Sequence, residues 1–184
     1  MKGRDFLTLT DLTREELVDI INLAIILKGK EGYTEELKGK TLAMLFAKPS
    51  TRTRVSFEVA MTQLGGHAVY LNWNETNFPK GDIQDEAKVL GLYCDAVMAR
   101  VFQHEILVQI AKGCDRPVIN GLDDDYHPCQ ALADLMTICE EKKGFQGIKI
   151  GWVGDGTNVC NSLMLGAEML GMEMVVATPE GYEP

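Results

Sequence analysis

The sequence lacks the features that mark three large classes of protein. Its five cysteines include no Cys-x-x-Cys pair and are odd in number, so neither a zinc finger nor a disulfide-stapled secreted fold is indicated. It has no excess of basic residues, because the formal net charge is −9, which disfavours bulk attraction to nucleic acid or to an anionic membrane. The longest apolar run, residues 17–27, contains Asp19 and Asn22 and is too short to cross a bilayer.

The N-terminal stretch "MKGRDFLTLT" also lacks the apolar core of a signal peptide. Together with the odd cysteine count, this absence leads us to expect a cytoplasmic protein with no membrane or nucleic-acid partner. What the sequence does have is enough apolar material for a core, since hydrophobic residues make up 46% of its 184 residues. That length suits one large domain, or one domain and part of another.

Short apolar runs alternate with amphipathic segments along the whole chain. The first helix is predicted to begin at Thr13, which has capping-box spacing to Glu16, and to end at "GKEG". The other predicted helices are 55–66, 83–93, 104–113, 128–142 and 158–171. The predicted strands are 41–46, 67–71, 95–100, 117–121, 148–154 and 172–178. Strict alternation of this kind predicts an α/β fold with a parallel sheet flanked by helices.

A domain boundary is predicted at the "KKGFQG" turn. Four strands precede Lys143 and form one compact unit, which gives domains at 1–143 and 144–184. The second unit has two strands and one helix, too few to bury their apolar faces alone. We therefore expect the second α/β domain to be incomplete in this sequence.

The stretch "KPSTRTRVSFE", residues 48–58, gathers cations and hydroxyls in an otherwise acidic chain. It follows a buried strand and precedes a helix, where free backbone N–H groups and the helix dipole favour an anion. The guanidinium of Arg52 matches phosphate oxygens, and Ser50, Thr51 and Thr53 add hydroxyl donors. The alternative is ordinary helix capping by Ser50 or Thr51 with solvated arginines. We favour the anion site.

Two further strands lead to polar residues at the same predicted rim of the sheet. Arg100 ends one strand, and His127 and Gln130 open the helix that follows the next. Ligands of open parallel sheets bind at the carboxyl ends of strands. Singly, Arg100 fits a surface strand end, His127 a helix N-cap and Gln130 a first-turn polar residue. Their shared position favours one site that also includes the 50–54 loop.

Three other features admit plain structural interpretations. "GDGTN" is a weak dinucleotide-type turn in which Asn158 fits a ligand contact or an N-cap equally well. Residues 123–125, "DDD", are more typical of a solvated loop than of a metal site. Cys129 stands beside His127, but a free cysteine is more often a small buried hydrophobe than a nucleophile.

The motifs "STRTR", "MAR", "HPCQALADL" and "GDGTN", in this order, closely resemble the carbamoyltransferases. The resemblance runs from about Phe6 to Pro184, and "INGLDDDYHPCQALADL" and "ATPEGYEP" resemble the ornithine rather than the aspartate branch. It implies two α/β domains, the first binding carbamoyl phosphate and the second the amino acid. It also implies trimers, or multiples of trimers, with active sites at subunit boundaries.

Residue roles follow from the resemblance alone. Ser50, Thr51, Arg52 and Thr53 would hold the phosphate. Arg100 and His127, with Thr53, would stabilise the carbonyl oxygen. Gln130 would lie near the carbamoyl amide and Asn158 would touch ornithine. No metal or organic cofactor is implied.

One family contact, a glutamine reaching the neighbouring subunit, has no clear match here. The corresponding loop reads "NWNETNFPKGDIQD", in which Asn77 is the best candidate and Lys80 its rival. The later motifs that grip the amino acid are absent from this sequence. The resemblance therefore also leaves the identity of the second-subunit contact and of the acceptor pocket open.

The expected activity is transfer of the carbamoyl group of carbamoyl phosphate to the δ-amine of L-ornithine, giving L-citrulline and phosphate for arginine biosynthesis. The alternatives are a carbamoyltransferase for another amine, such as putrescine or an aspartate-like acceptor, and a truncated, non-catalytic carbamoyl-phosphate-binding chain. A nucleotide-binding module based on "GDGTN" is a further alternative. The expectation of carbamoyl transfer does not require the 184-residue piece to be active by itself.

Overall fold

A computed structural model describes residues 3–30 and 32–184. Met1 and Lys2 lie outside the described residues, and so does Glu31, which is part of the predicted helix end "GKEG". The helices are α1 Arg14–Lys28, α2 Thr51–Gln63, α3 Ile83–Tyr93, α4 His104–Gly113, α5 Pro128–Lys142 and α6 Asn158–Leu170. The strands are β1 Thr41–Phe46, β2 His67–Asn72, β3 Ala96–Arg100, β4 Val118–Leu122, β5 Lys149–Val153 and β6 Glu173–Ala177. None of these helices combines the length and hydrophobicity of a membrane span.

The predicted alternation of strands and helices is confirmed throughout. The capping box is present at α1, where Thr13 Oγ1 accepts from Glu16 N and Glu16 Oε2 accepts from Thr13 N. The largest boundary error is at α2, which begins at Thr51 rather than at residue 55 and ends at Gln63 rather than at residue 66, whereas the ends of β2–β6 and α6 differ from the prediction by at most one residue. The reason is that Ser50 caps the helix, so "TRTR" forms its first turn instead of a preceding loop.

Compact packing divides the described chain into two units that interleave along the sequence. One unit takes in residues 3–7 and 32–123, and the other takes in residues 8–30 and 124–184. Helix α1 therefore groups with the later part of the chain. The sequence-based boundary at 143/144 stays a prediction.

The first unit contains a four-stranded sheet in the order β2-β1-β3-β4, with every neighbouring pair parallel. Alternate residues of β1 point to opposite faces: Ala43 and Leu45 join a core with α3 and α4, and Met44 joins a second core with Met61 of α2. Helices thus cover both faces, as expected for a parallel sheet. All carboxyl ends of the four strands consequently lie at one edge.

In the second unit, α1 and α6 both pack against α5. Gly166 permits the close approach of α6, because a Cβ there would lie 2.7 Å from Leu135 Cδ1 and 3.0 Å from Leu9 Cδ1. Lys28 Nζ also forms a 2.8 Å ion pair with Glu140 Oε2 across α1 and α5. Strands β5 and β6 pair in parallel as a separate two-stranded sheet.

Candidate functional site

The start of α2 is organised by the hydroxyl of Ser50. Its Oγ accepts a hydrogen bond from Thr53 N at 3.3 Å and donates one to Thr53 Oγ1 at 3.1 Å. No acidic residue occupies the first turn, and Thr51 and Arg52 are exposed. The positive end of the helix dipole is therefore not offset by a carboxylate of its own helix, which favours a bound anion.

The cations around this turn are not equivalent. Arg54 Nε is 2.9 Å from Glu58 Oε1, and its guanidinium lies 3.8 Å from the centre of the Tyr70 ring. Lys48 Nζ lies 4.6 Å from the centre of the Phe102 ring. Arg52, in contrast, forms no ion pair with any carboxylate of the described residues. Of the arginines in "STRTR", Arg52 is thus the one available to a ligand.

Arg100 lies at the same edge of the sheet as the start of α2. It is the last residue of β3 and pairs in register with Phe46, the last residue of β1. The backbone then continues this contact, because Ala47 N donates to Arg100 O at 2.8 Å. The segment leading to Ser50 therefore leaves the sheet directly beside Arg100.

The electrostatics of Arg100 indicate an anion site. Burial lowers the pKa of the Arg100 guanidinium, and the positive charge of Arg52 lowers it further. Arg100 Nε is buried and donates no hydrogen bond to a described residue. Two guanidinium groups that repel each other, one of them partly desolvated, are stabilised together by an anion that accepts hydrogen bonds from both.

The two candidates for the second-subunit contact lie in the loop after β2. Asn77 and Lys80 are exposed. The carbonyl of Asn77 accepts hydrogen bonds from Lys80 N and Gly81 N, each at 2.9 Å, so the turn between them is fixed by backbone bonds. Neither exposed side chain is tied to this turn by those bonds, and either is available to a ligand or a partner chain.

The remaining sequence-predicted residues belong to the second unit. His127 occupies the N-cap position of α5, but its side chain makes no capping bond; its backbone N donates to Ser162 Oγ of α6 at 2.8 Å. Gln130 Nε2 donates to Asp134 Oδ1 at 3.0 Å. Asn161 Nδ2 donates to Asp125 O at 3.0 Å, which fixes the segment before His127 to α6. The imidazole is thus not needed to start its helix.

The structure of the "GDGTN" turn bears on two interpretations, the N-cap role of Asn158 and the nucleotide-binding alternative. Thr157 is the N-cap of α6 and Asn158 is the first helical residue, so the N-cap alternative for Asn158 is wrong. Gly156 N donates to Tyr182 O at 2.8 Å, and a Cβ on Gly156 would overlap Pro184. The chain itself therefore covers the glycine that a dinucleotide pyrophosphate would approach, which argues against the nucleotide-binding alternative.

Cys129 has the properties of an inert thiol. Burial raises the pKa of its side chain to about 12. A thiol with such a pKa is almost entirely protonated at neutral pH, and the thiolate is the nucleophilic form. This argues against covalent catalysis through Cys129.

Sequence reasoning missed a polar cluster in the first unit. The interpretation of residues 123–125 as a solvated loop is wrong at Asp123, which has 0% exposure, although Asp124 and Asp125 are exposed. Asp123 contacts His104, the first residue of α4, and Asn120 of β4. The sequence pointed to only part of this cluster. Asn120 is a polar residue inside an apolar strand, which is unusual, whereas His104 has the appearance of an ordinary helix start.

The fold and this edge of the sheet define the class of protein: an α/β protein in which two arginines and a helix start lie at the carboxyl ends of parallel strands. Residues 4–140 match the carbamoyl-P binding domain of aspartate/ornithine carbamoyltransferase, and residues 146–184 match the Asp/Orn binding domain. The chain belongs to the aspartate/ornithine carbamoyltransferase family.

Individual relatives agree with this assignment. The chain is 54% identical to an ornithine carbamoyltransferase of Anoxybacillus flavithermus, over all of this chain and 60% of the relative. It is 56% identical to one of Pyrococcus horikoshii, over all of this chain and 59% of the relative. The solved ornithine carbamoyltransferase from Pyrococcus furiosus superposes with a TM-score of 0.95 at 54% identity, covering 100% of this chain and 60% of that one. The chain thus spans about 60% of the length of these relatives.

Proposed function

We propose that this chain is part of an enzyme that transfers the carbamoyl group of carbamoyl phosphate to the δ-amine of L-ornithine, giving L-citrulline and phosphate. The observation that carries the proposal is that Arg52, in the first turn of α2, and Arg100, at the end of β3, lie at the same edge of the sheet without a carboxylate partner among the described residues. Relatives more than half identical and named ornithine carbamoyltransferase support the choice of acceptor.

In the proposed reaction, the neutral amine attacks the carbonyl carbon and negative charge develops on the carbonyl oxygen. We assign Arg100, Thr53 and His127 to this oxygen, where each donor is worth roughly 3 kcal/mol of transition-state stabilisation. Arg52, Ser50, Thr51 and the helix start hold the phosphate as it leaves. The tetrahedral intermediate collapses with cleavage of the carbon–oxygen bond to phosphate, and the amine loses its proton.

The remaining assignments rest on the resemblance. Gln130 is assigned to the carbamoyl amide, Asn158 to ornithine, and Asn77 or Lys80 to the active site of a neighbouring subunit in a homotrimer. The five cysteines, none of which forms a disulfide in the described residues, support a reducing, cytoplasmic compartment. Arginine biosynthesis is the process that this reaction would serve.

The acceptor is tested with the protein that contains this chain. Citrulline-type product formation is measured with ornithine, putrescine and aspartate in turn, at fixed carbamoyl phosphate. The proposal expects turnover with ornithine at least about a hundredfold above the other amines, since a pocket that pairs a polar group rejects analogues lacking it strongly. Turnover with putrescine or aspartate instead would establish the alternative acceptor, and binding without turnover would establish the non-catalytic alternative.

The role of Arg100 is tested in the same assay with Arg100→Ala. An interaction that forms fully only in the transition state lowers kcat, by about a hundredfold for one lost donor, more than it lowers affinity for carbamoyl phosphate. A loss confined to affinity would show that Arg100 acts only in ground-state binding.

A further inference from the structure

A buried carboxylate lies next in the chain to the residue that pairs with Arg100. Asp123 is fully buried, and its Oδ2 is 2.7 Å from His104 Nδ1 and accepts from Asn120 Nδ2 at 2.9 Å. We assign His104 Nδ1 as the donor in this contact, because a carboxylate oxygen accepts hydrogen bonds. Asn120, also fully buried, is itself held because its Nδ2 donates to Leu7 O at 2.9 Å.

A bulge in β4 decides where this carboxylate lies. Ala99 pairs with Asn120, but Arg100 pairs with Leu122, so Gly121 is the extra residue. A side chain there would force Met98 to move, because a Cβ would lie 2.5 Å from Met98 Sδ and 3.2 Å from Ala99 O. A one-residue shift moves all following side chains to the other face of a sheet, and bulges re-aim side chains near functional sites.

The Asp123 carboxylate and the Arg100 guanidinium are not paired, although they are close in register. Asp123 directly follows the register partner of Arg100, yet Arg100 forms no ion pair with a carboxylate of the described residues. The charge that acts on Arg100 most strongly is the positive charge of Arg52. A carboxylate released at this depth would favour a paired, often bidentate contact with a guanidinium, because an unpaired buried charge is costly.

We propose that His104 is a positioning residue that holds the Asp123 carboxylate away from Arg100 and so keeps Arg100 available to the anionic substrate. This inference rests on the proposed function, because it explains how the positive charge of Arg100, which is assigned to the carbonyl oxygen, avoids neutralisation by a carboxylate. His104 contacts neither the substrate nor the reacting atoms in this account; it acts through Asp123. The bulge at Gly121 and the amide of Asn120 fix the same carboxylate from the other side.

The test is a double-mutant comparison in the protein that contains this chain. His104→Ala removes the donor and is expected to lower both carbamoyl phosphate affinity and kcat about tenfold, as Asp123 competes for Arg100. The double variant H104A/D123N removes the competing charge and is expected to return both quantities to within about threefold of D123N alone. His104→Asn keeps an N–H donor near the position of Nδ1 and is expected to retain both.

A purely structural role for His104 predicts a different pattern, because the double variant would then be at least as impaired as H104A. That result, or unchanged affinity and kcat in H104A, would overturn the inference. If H104A does not fold, a folded double variant with recovered affinity supports it, and a tenfold loss in H104N overturns it. His67→Ala, an exposed histidine at the start of β2, is the matched control and should change neither quantity.

The proposed function and the proposed role of His104 can be contradicted independently of each other. Carbamoyl phosphate affinity, measured by calorimetry, reports the state of Arg100 without any acceptor. A wild-type protein that binds carbamoyl phosphate but makes no citrulline would contradict the proposed function, while the affinities of the His104 and Asp123 variants would still decide the role of His104.

Discussion

Single residues of the same type have different roles in this site. Arg52 and Arg54 are indistinguishable in "STRTR", but Arg54 is engaged by Glu58 and Tyr70 whereas Arg52 has no ion-pair partner among the described residues. The Arg54–Glu58 pair has i,i+4 spacing, which the sequence could have predicted. The Tyr70 contact comes from β2 and requires the fold. Arg52 is assigned to the phosphate from the sequence, and the contacts of Arg54 with Glu58 and Tyr70 add a physical reason to prefer Arg52.

Ser50 caps α2 and is also proposed to bind phosphate, and a matched pair of variants separates these two roles. Ser50→Ala and Thr13→Ala each remove an N-cap hydroxyl, from α2 and α1 respectively, and each should lower the free energy of unfolding by about 1 kcal/mol. Only S50A should also weaken carbamoyl phosphate binding, about fivefold for one lost neutral hydrogen bond. Urea unfolding and calorimetry measure the two effects; equal affinities in both variants would limit Ser50 to capping.

Helices and strands were the most predictable level of this protein. Buried apolar runs such as 41–46 sit between helical segments with clear caps, so both the elements and the parallel class followed from the pattern. The start of α2 was missed because its first turn is made of polar and charged residues, which resemble a loop until the Ser50 cap is recognised. The bulge at Gly121 has no local sequence signal, since it depends on close contact with β3.

The turn between β5 and α6 is also set by contact with a distant segment. At Gly156, the close approach of residues 183–184 leaves no room for a Cβ, whereas Gly151 in β5 has no atom within 4 Å of that position. Gly156→Ala should therefore displace the turn that leads to Asn158 and raise the KM for ornithine about tenfold, because displacements near 1 Å are costly in positioning elements.

Gly151→Ala makes the same chemical change without a steric conflict among the described residues and should leave the KM for ornithine unchanged. Carbamoyl phosphate affinity should change little in either variant, since its assigned ligands at Ser50–Thr53 lie elsewhere in the chain. Steady-state kinetics with each substrate varied in turn measure the difference. Equal KM values in G156A and G151A would show that this contact does not position Asn158.

At the scale of the whole molecule, the described chain forms two units whose segments alternate along the sequence. Ser50–Thr53 and Arg100 belong to one unit, and His127, Gln130 and Asn158 belong to the other. The sequence motifs could be ordered along the chain, but membership of a unit depends on contacts such as those of α1 with α5, which join residues more than a hundred positions apart. Such long-range pairing is not visible in composition or periodicity.

The central claim is that the edge of the first sheet binds a phosphate-bearing anion through Arg52. Calorimetric titration of carbamoyl phosphate into the wild type, Arg52→Ala and Arg54→Ala tests it directly. Loss of charge-assisted hydrogen bonds worth about 1.5–3 kcal/mol predicts a 10- to 150-fold weaker affinity for R52A. R54A, which loses only its contacts with Glu58 and Tyr70, should stay within about twofold of the wild type. Equal affinities for R52A and the wild type would contradict the account.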